Sequence, residues 1–382
     1  MKPVSLAILG STGSIGLNTL KVVDHNPQHF QVVALSAYNN FKLLESQIKK
    51  YKPSHVAVGK EGLAHFKNIG IKGVKFYSSQ DCAQIASLKE VDVVVLAMRG
   101  TGALMPFLGA LRAGKTVAPA NKEALVIAGD LIMKEASRHK ARIIPIDSEQ
   151  SAIFQCLEGQ KSKPVFVHLT ASGGPLREVG SKRFKQMTPK DILCHPRWKM
   201  GPKITVDSAT LMNKGFEVIE AKHLFNLSYD QIKVLIHPEA VIHSMVEFAD
   251  GSLLAQLGIT DMRLPIQYAL TYPERLPTGL RALDLAELGS LNFQKPDLKK
   301  FPSLELAFEV ARLAGSMPTV LNAADEEAVE AFLRGKINFS SIYKVVEKVV
   351  LRHTIVKNPS LQAILQADEW GRQEARKIIC AK

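Results

Sequence analysis

The start of the chain constrains the fold most. An apolar run, Val4 to Leu9, passes directly into Gly10-Ser-Thr-Gly13-Ser-Ile-Gly16 and then into a helical pattern from Leu17 to Asp24. Strand, glycine turn and helix in that order present backbone N–H groups and a helix dipole to a pyrophosphate. The spacing is GxxGxxG rather than GxGxxG, and the same residues also suit a tight turn without a ligand. A second strand, Gln31 to Leu35, runs into Ser36-Ala37-Tyr38-Asn39-Asn40, which lacks the acidic residue that an NAD ribose calls for. With no carboxylate to repel a 2′-phosphate, NADP is favoured.

Further strands are expected at Val56–Val58, Val91–Met98, Thr116–Ala118 and Arg142–Ile146, alternating with helices near 40–50, 103–113 and 123–139. This is a doubly wound α/β pattern. Asn121-Lys122-Glu123 follows the fifth strand, at the carboxyl edge where such sheets bind ligands, and it equally suits a helix start. Asp147-Ser148-Glu149 follows the next strand. In extended backbone Asp147 and Glu149 would point the same way, and two hard oxygen donors without Cys or His nearby suit Mg²⁺ or Mn²⁺. A capped start to a helix over Glu149–Leu157 is the alternative.

A strand from Val165 to Thr170 ends in Ala171-Ser172-Gly173-Gly174-Pro175, either a nest of N–H donors for a phosphate or an ordinary turn. His195 to Pro202 has two prolines, a glycine, cations and Trp198 without a regular period, which suits a loop closing over an anion. A short strand, Ile204–Val206, is expected next, with Asp207 and Ser208 capping a helix. On that helix Met212, Phe216 and Ile219 form the apolar stripe, and Asn213, Lys214 and Glu217 the opposite face. That face suits either a phosphate and metal grip or plain solvent. Strands at Lys233–Ile236, His243–Phe248 and Leu253–Leu257 follow, with a hairpin turn at Asp250-Gly251. His237 and His243 read as structural. From Tyr272 to Pro302 periodicity gives way to a proline-bearing linker. Helices over Leu304–Ala314, Thr319–Leu333, Ser341–Arg352 and Leu361–Ile379 then resemble a small bundle with no chemistry of its own.

The 382 residues allow two or three domains. The net charge of +13 is spread without a dense basic run, so small multiply anionic ligands fit better than a nucleic-acid groove. Cys82, Cys156, Cys194 and Cys380 make no CxxC pair, so neither zinc nor a disulfide framework is expected. No apolar stretch has bilayer length, and the N-terminal residues leave no room for a leader before the first strand. The expectation is a cytoplasmic protein without a membrane partner.

GSTGSIG, NKEALV, IDSEQSAIFQ, TASGGP, HPRWKMGPKITVDSATLMNKGFEVIEA and HPEAVIHSMVEFADGSLLAQLG occur here in one order, from Leu6 to the last helix. With these motifs the chain resembles the 1-deoxy-D-xylulose 5-phosphate reductoisomerase family. The resemblance implies an NADPH-binding Rossmann-like domain (1–147) and a central α/β catalytic and dimerisation domain (148–272) with a mobile lid near 177–202. A linker (273–302) and a C-terminal helical bundle (303–382) would follow. It implies a homodimeric enzyme of isoprenoid precursor synthesis that uses NADPH and Mg²⁺ or Mn²⁺ on a sugar phosphate. Its metal ligands fall on Asp147, Glu149 and Glu217, and its catalytic groups on Lys122, Glu149 and His195. Substrate contacts fall on Ser148, His195, Trp198 and Glu217, with the phosphate on Ser172, Ser208, Asn213 and Lys214. Cofactor contacts fall on Thr12, Gly13, Ser14, Ile15, Asn39, Asn121, Lys122, Glu123 and Gly201. Tyr38 departs from the family pattern, which has glycine there followed by a basic or small residue. Ser36, Asn39 or Lys42 would then take over the 2′-phosphate contact, with weaker discrimination against NADH. A simple NADP-dependent dehydrogenase, which needs no Asp147/Glu149/Glu217 metal site, and a nucleotide sensor without turnover, which has no use for Lys122, Glu149 and His195, are the rival readings.

Overall fold

The computed structural model describes residues 2–194, 198 and 200–381. In chain order the strands are β1 (Val4–Leu9), β2 (Phe30–Ala37), β3 (His55–Val58), β4 (Lys75–Ser78), β5 (Val93–Leu96), β6 (Thr116–Pro119), β7 (Arg142–Ile143), β8 (Phe166–Ala171), β9 (Ile232–Ile236), β10 (Ile242–Glu247) and β11 (Leu253–Leu257). The helices run α1 (Ser14–His25), α2 (Phe41–Tyr51), α3 (Lys60–Ile69), α4 (Cys82–Ala86), α5 (Leu104–Arg112), α6 (Lys122–Arg138), α7 (Ser148–Leu157) and α8 (Pro189–Ile192). They continue with α9 (Pro202–Thr210), α10 (Met212–Phe225), α11 (Arg263–Thr271), α12 (Leu285–Leu288), α13 (Pro302–Leu313), α14 (Met317–Leu333), α15 (Phe339–Arg352) and α16 (Leu361–Cys380). No described helix is long and apolar enough to cross a membrane.

Two compact units emerge. The first holds residues up to Ala124, Asp130–Phe154 and Asp261–Ala282. Its seven strands are parallel, in the order β4-β3-β2-β1-β5-β6-β7. The chain builds outward from β1 on one side, then returns to lay β5 to β7 on the other. The switch point therefore lies at the carboxyl end of β1, where the glycine turn sits. Strands buried on both faces read as apolar runs, and Leu6, Ile8, Leu35, Val56 and Val95 are fully buried. Leu20 and Val23 of α1 and Ile266 and Leu270 of α11 close over them. Each such side chain contributes about 1.5–3 kcal/mol of burial.

The second unit holds Leu125–Gly129, Gln155–Thr260 and Leu283–Lys382. Its mixed sheet has the order β11-β10-β8-β9, with β8 and β9 parallel and the other pairs antiparallel. Helix α10 packs on β8, β9 and α13, and α14 lies against α9, α13, α15 and α16. Gly215 permits the close α10–α13 approach, because a Cβ there would lie 2.3 Å from Ala307 Cβ.

Several expectations need correction. Ile204–Val206 is not a strand: Pro202 occupies the first turn of α9, and the helix continues to Thr210. Asp207 and Ser208 therefore lie inside a helix rather than at its cap. The break falls instead at Leu211, with φ +61°, before α10 begins. Of the two readings of the polar face of α10, the solvated one fails, since Lys214 is 3% and Glu217 1% exposed. Strand β4 and helices α3, α4 and α11 were not expected. The irregular stretch after Tyr272 carries the short helix α12 and a bridge from Gln294 to Ile236.

Candidate active site

In the first unit the glycine turn is locked from below. Gly10, at φ +94°, has no space for a Cβ, which would meet Ala97 O at 2.5 Å. Its N–H donates to Ser36 Oγ at 2.9 Å, and Ser11 N donates to Ser36 O at 2.8 Å. Gln47 of α2, which the sequence did not single out, holds the turn from the side: it accepts from Ser11 Oγ at 2.7 Å and donates to Ser11 O at 3.0 Å. Helix α1 has no side-chain cap at Gly13, so its first N–H groups remain available to an anion. Thr12 and Gly13 belong to that turn, and Ser14 and Ile15 open α1. Ser36 is 4% exposed and occupied by Gly10, so it is not the residue that reads a 2′-phosphate. Tyr38 is 75% exposed, Asn39 and Lys42 are exposed, and Asn40 caps α2 by accepting from Leu43 N.

Asn121 caps α6. Its Oδ1 accepts from Ala124 N at 3.1 Å while Nδ2 donates to Met98 O at 2.8 Å, so the helix-start reading holds. Lys122, 5% exposed, follows it and places Nζ 2.5 Å from Asp147 Oδ2. Glu123 is half-buried beside it. Asp147 and Glu149 are not brought together by strand alternation. Backbone pairing to β6 runs on from β7 to Ile146 N, which donates to Pro119 O; beyond it Asp147 O accepts from Ser151 N, and Glu149 stands in the first turn of α7. Ser148 is 7% exposed and donates to Glu149 Oε2 at 2.5 Å. Asp147 Oδ2 is buried and accepts no hydrogen bond of good geometry; the Lys122 ammonium is its close partner. A buried, hard oxygen short of donors beside a second carboxylate is the donor chemistry a divalent cation takes.

In the second unit the end of β8 and helices α9 and α10 assemble one polar cluster. Gly173 (φ +85°) and Gly174 (φ +68°) turn the chain sharply after Ser172, and Gly174 N donates to Ser172 Oγ at 3.3 Å. A Cβ on Gly174 would lie 2.4 Å from Ser208 O, so this turn seats directly against α9. Lys214 Nζ donates to Thr170 O at 2.5 Å and pairs with Glu217, which also accepts from Asn213 Nδ2 at 2.5 Å. Asn213 Oδ1 is buried without a hydrogen-bond partner. Ser172, Ser208, Asn213 and Lys214 thus offer hydroxyl, amide and ammonium groups, and Glu217 a sheltered carboxylate. Gly201 caps α9, and its carbonyl accepts from Thr205 N and Oγ1. The half-buried Trp198 ring lies 6.1 Å from that of His243, a buried residue on β10 that sequence reasoning gave only a structural part. His237 is structural: its Nε2 accepts from Ile242 N, and Nδ1 faces Asn292 O and Glu239. His195 lies outside the described residues. The buried thiols of Cys82 and Cys156 are pushed up to about 11 by burial, so neither is a ready nucleophile.

Comparison with known proteins decides between the readings. Residues 6–129 match the family described as 1-deoxy-D-xylulose 5-phosphate reductoisomerase, and residues 143–225 and 257–374 match two descriptions of its C-terminal domain. A relative from Heliobacterium modesticaldum bearing that enzyme's name is 51% identical, over 98% of this chain and 97% of its own length. The chain belongs to the 1-deoxy-D-xylulose 5-phosphate reductoisomerase family. A second relative of this family, from Pelotomaculum thermopropionicum, is 49% identical over 98% of each chain. Among solved reductoisomerases, a crystal structure in complex with NADPH, fosmidomycin and magnesium superposes with a TM-score of 0.93 at 40% identity, covering 99% of this chain and 98% of the other. The enzyme of Zymomonas mobilis in complex with NADPH gives 0.92 at 38% identity, covering 99% of both chains.

Proposed function

We infer that this chain is an NADPH- and divalent-metal-dependent oxidoreductase. It isomerises and reduces 1-deoxy-D-xylulose 5-phosphate to 2-C-methyl-D-erythritol 4-phosphate, in isoprenoid precursor synthesis. The observation that carries this is full-length likeness to reductoisomerases solved with NADPH and magnesium.

Asp147, Glu149 and Glu217 are assigned to the metal, with Mg²⁺ or Mn²⁺ favoured by an all-carboxylate donor set. The buried Asp147 Oδ2, whose close partner is the Lys122 ammonium, and the sheltered Glu217 support that fit. Bound there, a divalent cation supplies Lewis-acid polarisation of the substrate's carbonyl and hydroxyl oxygens. NADPH is assigned to the uncapped α1 N-terminus through Thr12 to Ile15, with Asn39, Asn121, Lys122, Glu123 and Gly201 completing its contacts; it supplies the hydride. Lys122 and Ser148 orient substrate oxygens, and the buried Lys122 ammonium and Glu149 hold and return protons near them. Ser172, Ser208, Asn213 and Lys214 grip the phosphate, remote binding energy that positions the reacting carbons. Trp198, with His195, covers the substrate and excludes water.

The dehydrogenase alternative needs no metal. NADPH oxidation followed by absorbance with 1-deoxy-D-xylulose 5-phosphate tests both: turnover is expected, abolished by a chelator and restored by Mn²⁺. Chelator-insensitive turnover would favour the dehydrogenase, and no oxidation at all the sensor. A homodimer and a cytoplasmic location complete the proposal. The exposed Leu253, Leu254 and Leu257 on the edge strand β11 suit a second copy.

A further inference from the structure

We infer that Lys203 is a positioning residue whose ammonium, tied to Asp325 in the C-terminal bundle, fixes the separation between Ser208 and the Asn213–Lys214 pair. The inference rests on the phosphate grip proposed above.

Lys203 stands in the first turn of α9, where the helix dipole disfavours a cation. Its Nζ nevertheless lies 2.6 Å from Asp207 Oδ2, one turn on, and 2.9 Å from Asp325 Oδ2 on α14. It also sits 4.7 Å above the centroid of the Phe216 ring on α10. One ammonium therefore touches three helices. The Asp207 and Asp325 side chains are 3% and 1% exposed, so both carboxylates are withdrawn from water. Neither Asp325 oxygen accepts a hydrogen bond of good geometry, and among the described residues Lys203 is the cation paired with it.

What this knot spans is the break between α9 and α10. Leu211 holds φ +61° there, a left-handed conformation that a leucine keeps only when its surroundings impose it. Ser208 lies before that break, and Asn213 and Lys214 lie after it. Lys203 reaches across, from α9 to the Phe216 ring on α10, and Asp325 anchors it to the bundle. With its carboxylates buried and the Lys203 side chain 24% exposed, this ion pair adds little net stability, and the role inferred for it is to select one arrangement of the helices. Remove the anchor and the angle between the helices rests on Leu211 and on the packing of α10 against β8, β9 and α13, with the tie from α9 through Lys203 to α14 lost. The helical bundle, which carries no site residue of its own, thereby acts on the phosphate grip.

The test compares wild type, Asp325→Asn and Asp325→Glu as the full chain with NADPH and Mn²⁺. KM and kcat are measured for 1-deoxy-D-xylulose 5-phosphate, and Kd for NADPH and for inorganic phosphate by calorimetry. In Asp325→Asn, KM and the phosphate Kd are expected to rise about tenfold, with most of the loss recovered in Asp325→Glu. The NADPH Kd is expected to stay within about twofold, since α1 is untouched. A lower Tm with KM and phosphate Kd unchanged would overturn the inference, as would an equal loss of NADPH binding. Should Asp325→Asn fail to fold, Phe216→Leu gives the same readout, with a rise of about threefold expected and no change overturning it. Absence of turnover in wild type would instead sink the functional reading.

Discussion

Replacing Glu217 by Gln probes the centre of the site. The side chain is 1% exposed, pairs with a Lys214 ammonium that is 3% exposed, and accepts from Asn213 Nδ2 at 2.5 Å. Glutamine keeps an acceptor for Asn213 but leaves the Lys214 charge without its carboxylate. Breaking a buried pair this way costs about 3–5 kcal/mol when nothing compensates. Here Thr170 O still accepts from Lys214 Nζ at 2.5 Å and the amide oxygen remains, so a fall of about 2 kcal/mol is the better figure. That is small enough to leave a folded protein. Activity suffers more, because one change removes a proposed metal ligand and disturbs a proposed phosphate ligand. A loss in kcat of at least about a thousandfold, roughly 4 kcal/mol of barrier, is expected. Thermal denaturation gives the first quantity and NADPH oxidation under saturating Mn²⁺ the second. Turnover like wild type in a folded Glu217→Gln enzyme would remove Glu217 from the metal shell.

Three other outcomes follow from particular residues. With Ser36 occupied by Gly10 and Tyr38 exposed, the preference for NADPH over NADH is expected to be about tenfold or less, only about 1.4 kcal/mol; specificity constants measured with each cofactor check this. Gly174→Ala places a Cβ 2.4 Å from Ser208 O at φ +68°, so Tm should fall by an amount equal to about 1–3 kcal/mol and the KM for the phosphate substrate should rise. Burial holds the half-buried His353 below its ordinary 6.5, while its Nε2 meets Ser316 Oγ at 2.7 Å. The unfolded chain then binds more protons between the two values, so stability is full above pH 6.5 and falls as pH drops toward the depressed value. A flatter acid limb of the Tm–pH curve in His353→Gln checks this; an unchanged limb would contradict it.

The doubly wound sheet was readable because its signals are local: apolar strand runs, a glycine turn at Gly10, and helix starts such as Asn121. The strand expected at Ile204–Val206 failed for an equally physical reason. Three residues of good strand propensity sit just inside Gly201-Pro202, and packing against α14 overrode that propensity. Strand β4, Lys-Phe-Tyr-Ser, was invisible because a short, partly buried edge strand carries little apolar pattern. In the site, residue types were legible but burial was not. Lys214 and Glu217 suited a phosphate and metal grip or plain solvent equally, because an i,i+3 ion pair on α10 looks the same in sequence whether the face is buried or exposed. Lys203 could not be understood at all without Asp325, its partner far along the chain.

The most direct test of the three-carboxylate centre is a titration of the apo-protein with Mn²⁺, followed by the electron paramagnetic resonance of the free ion. One tight ion per chain is expected in wild type, with binding sharply weakened in each of Asp147→Asn, Glu149→Gln and Glu217→Gln. Equal affinity and stoichiometry in all four proteins would place the metal elsewhere.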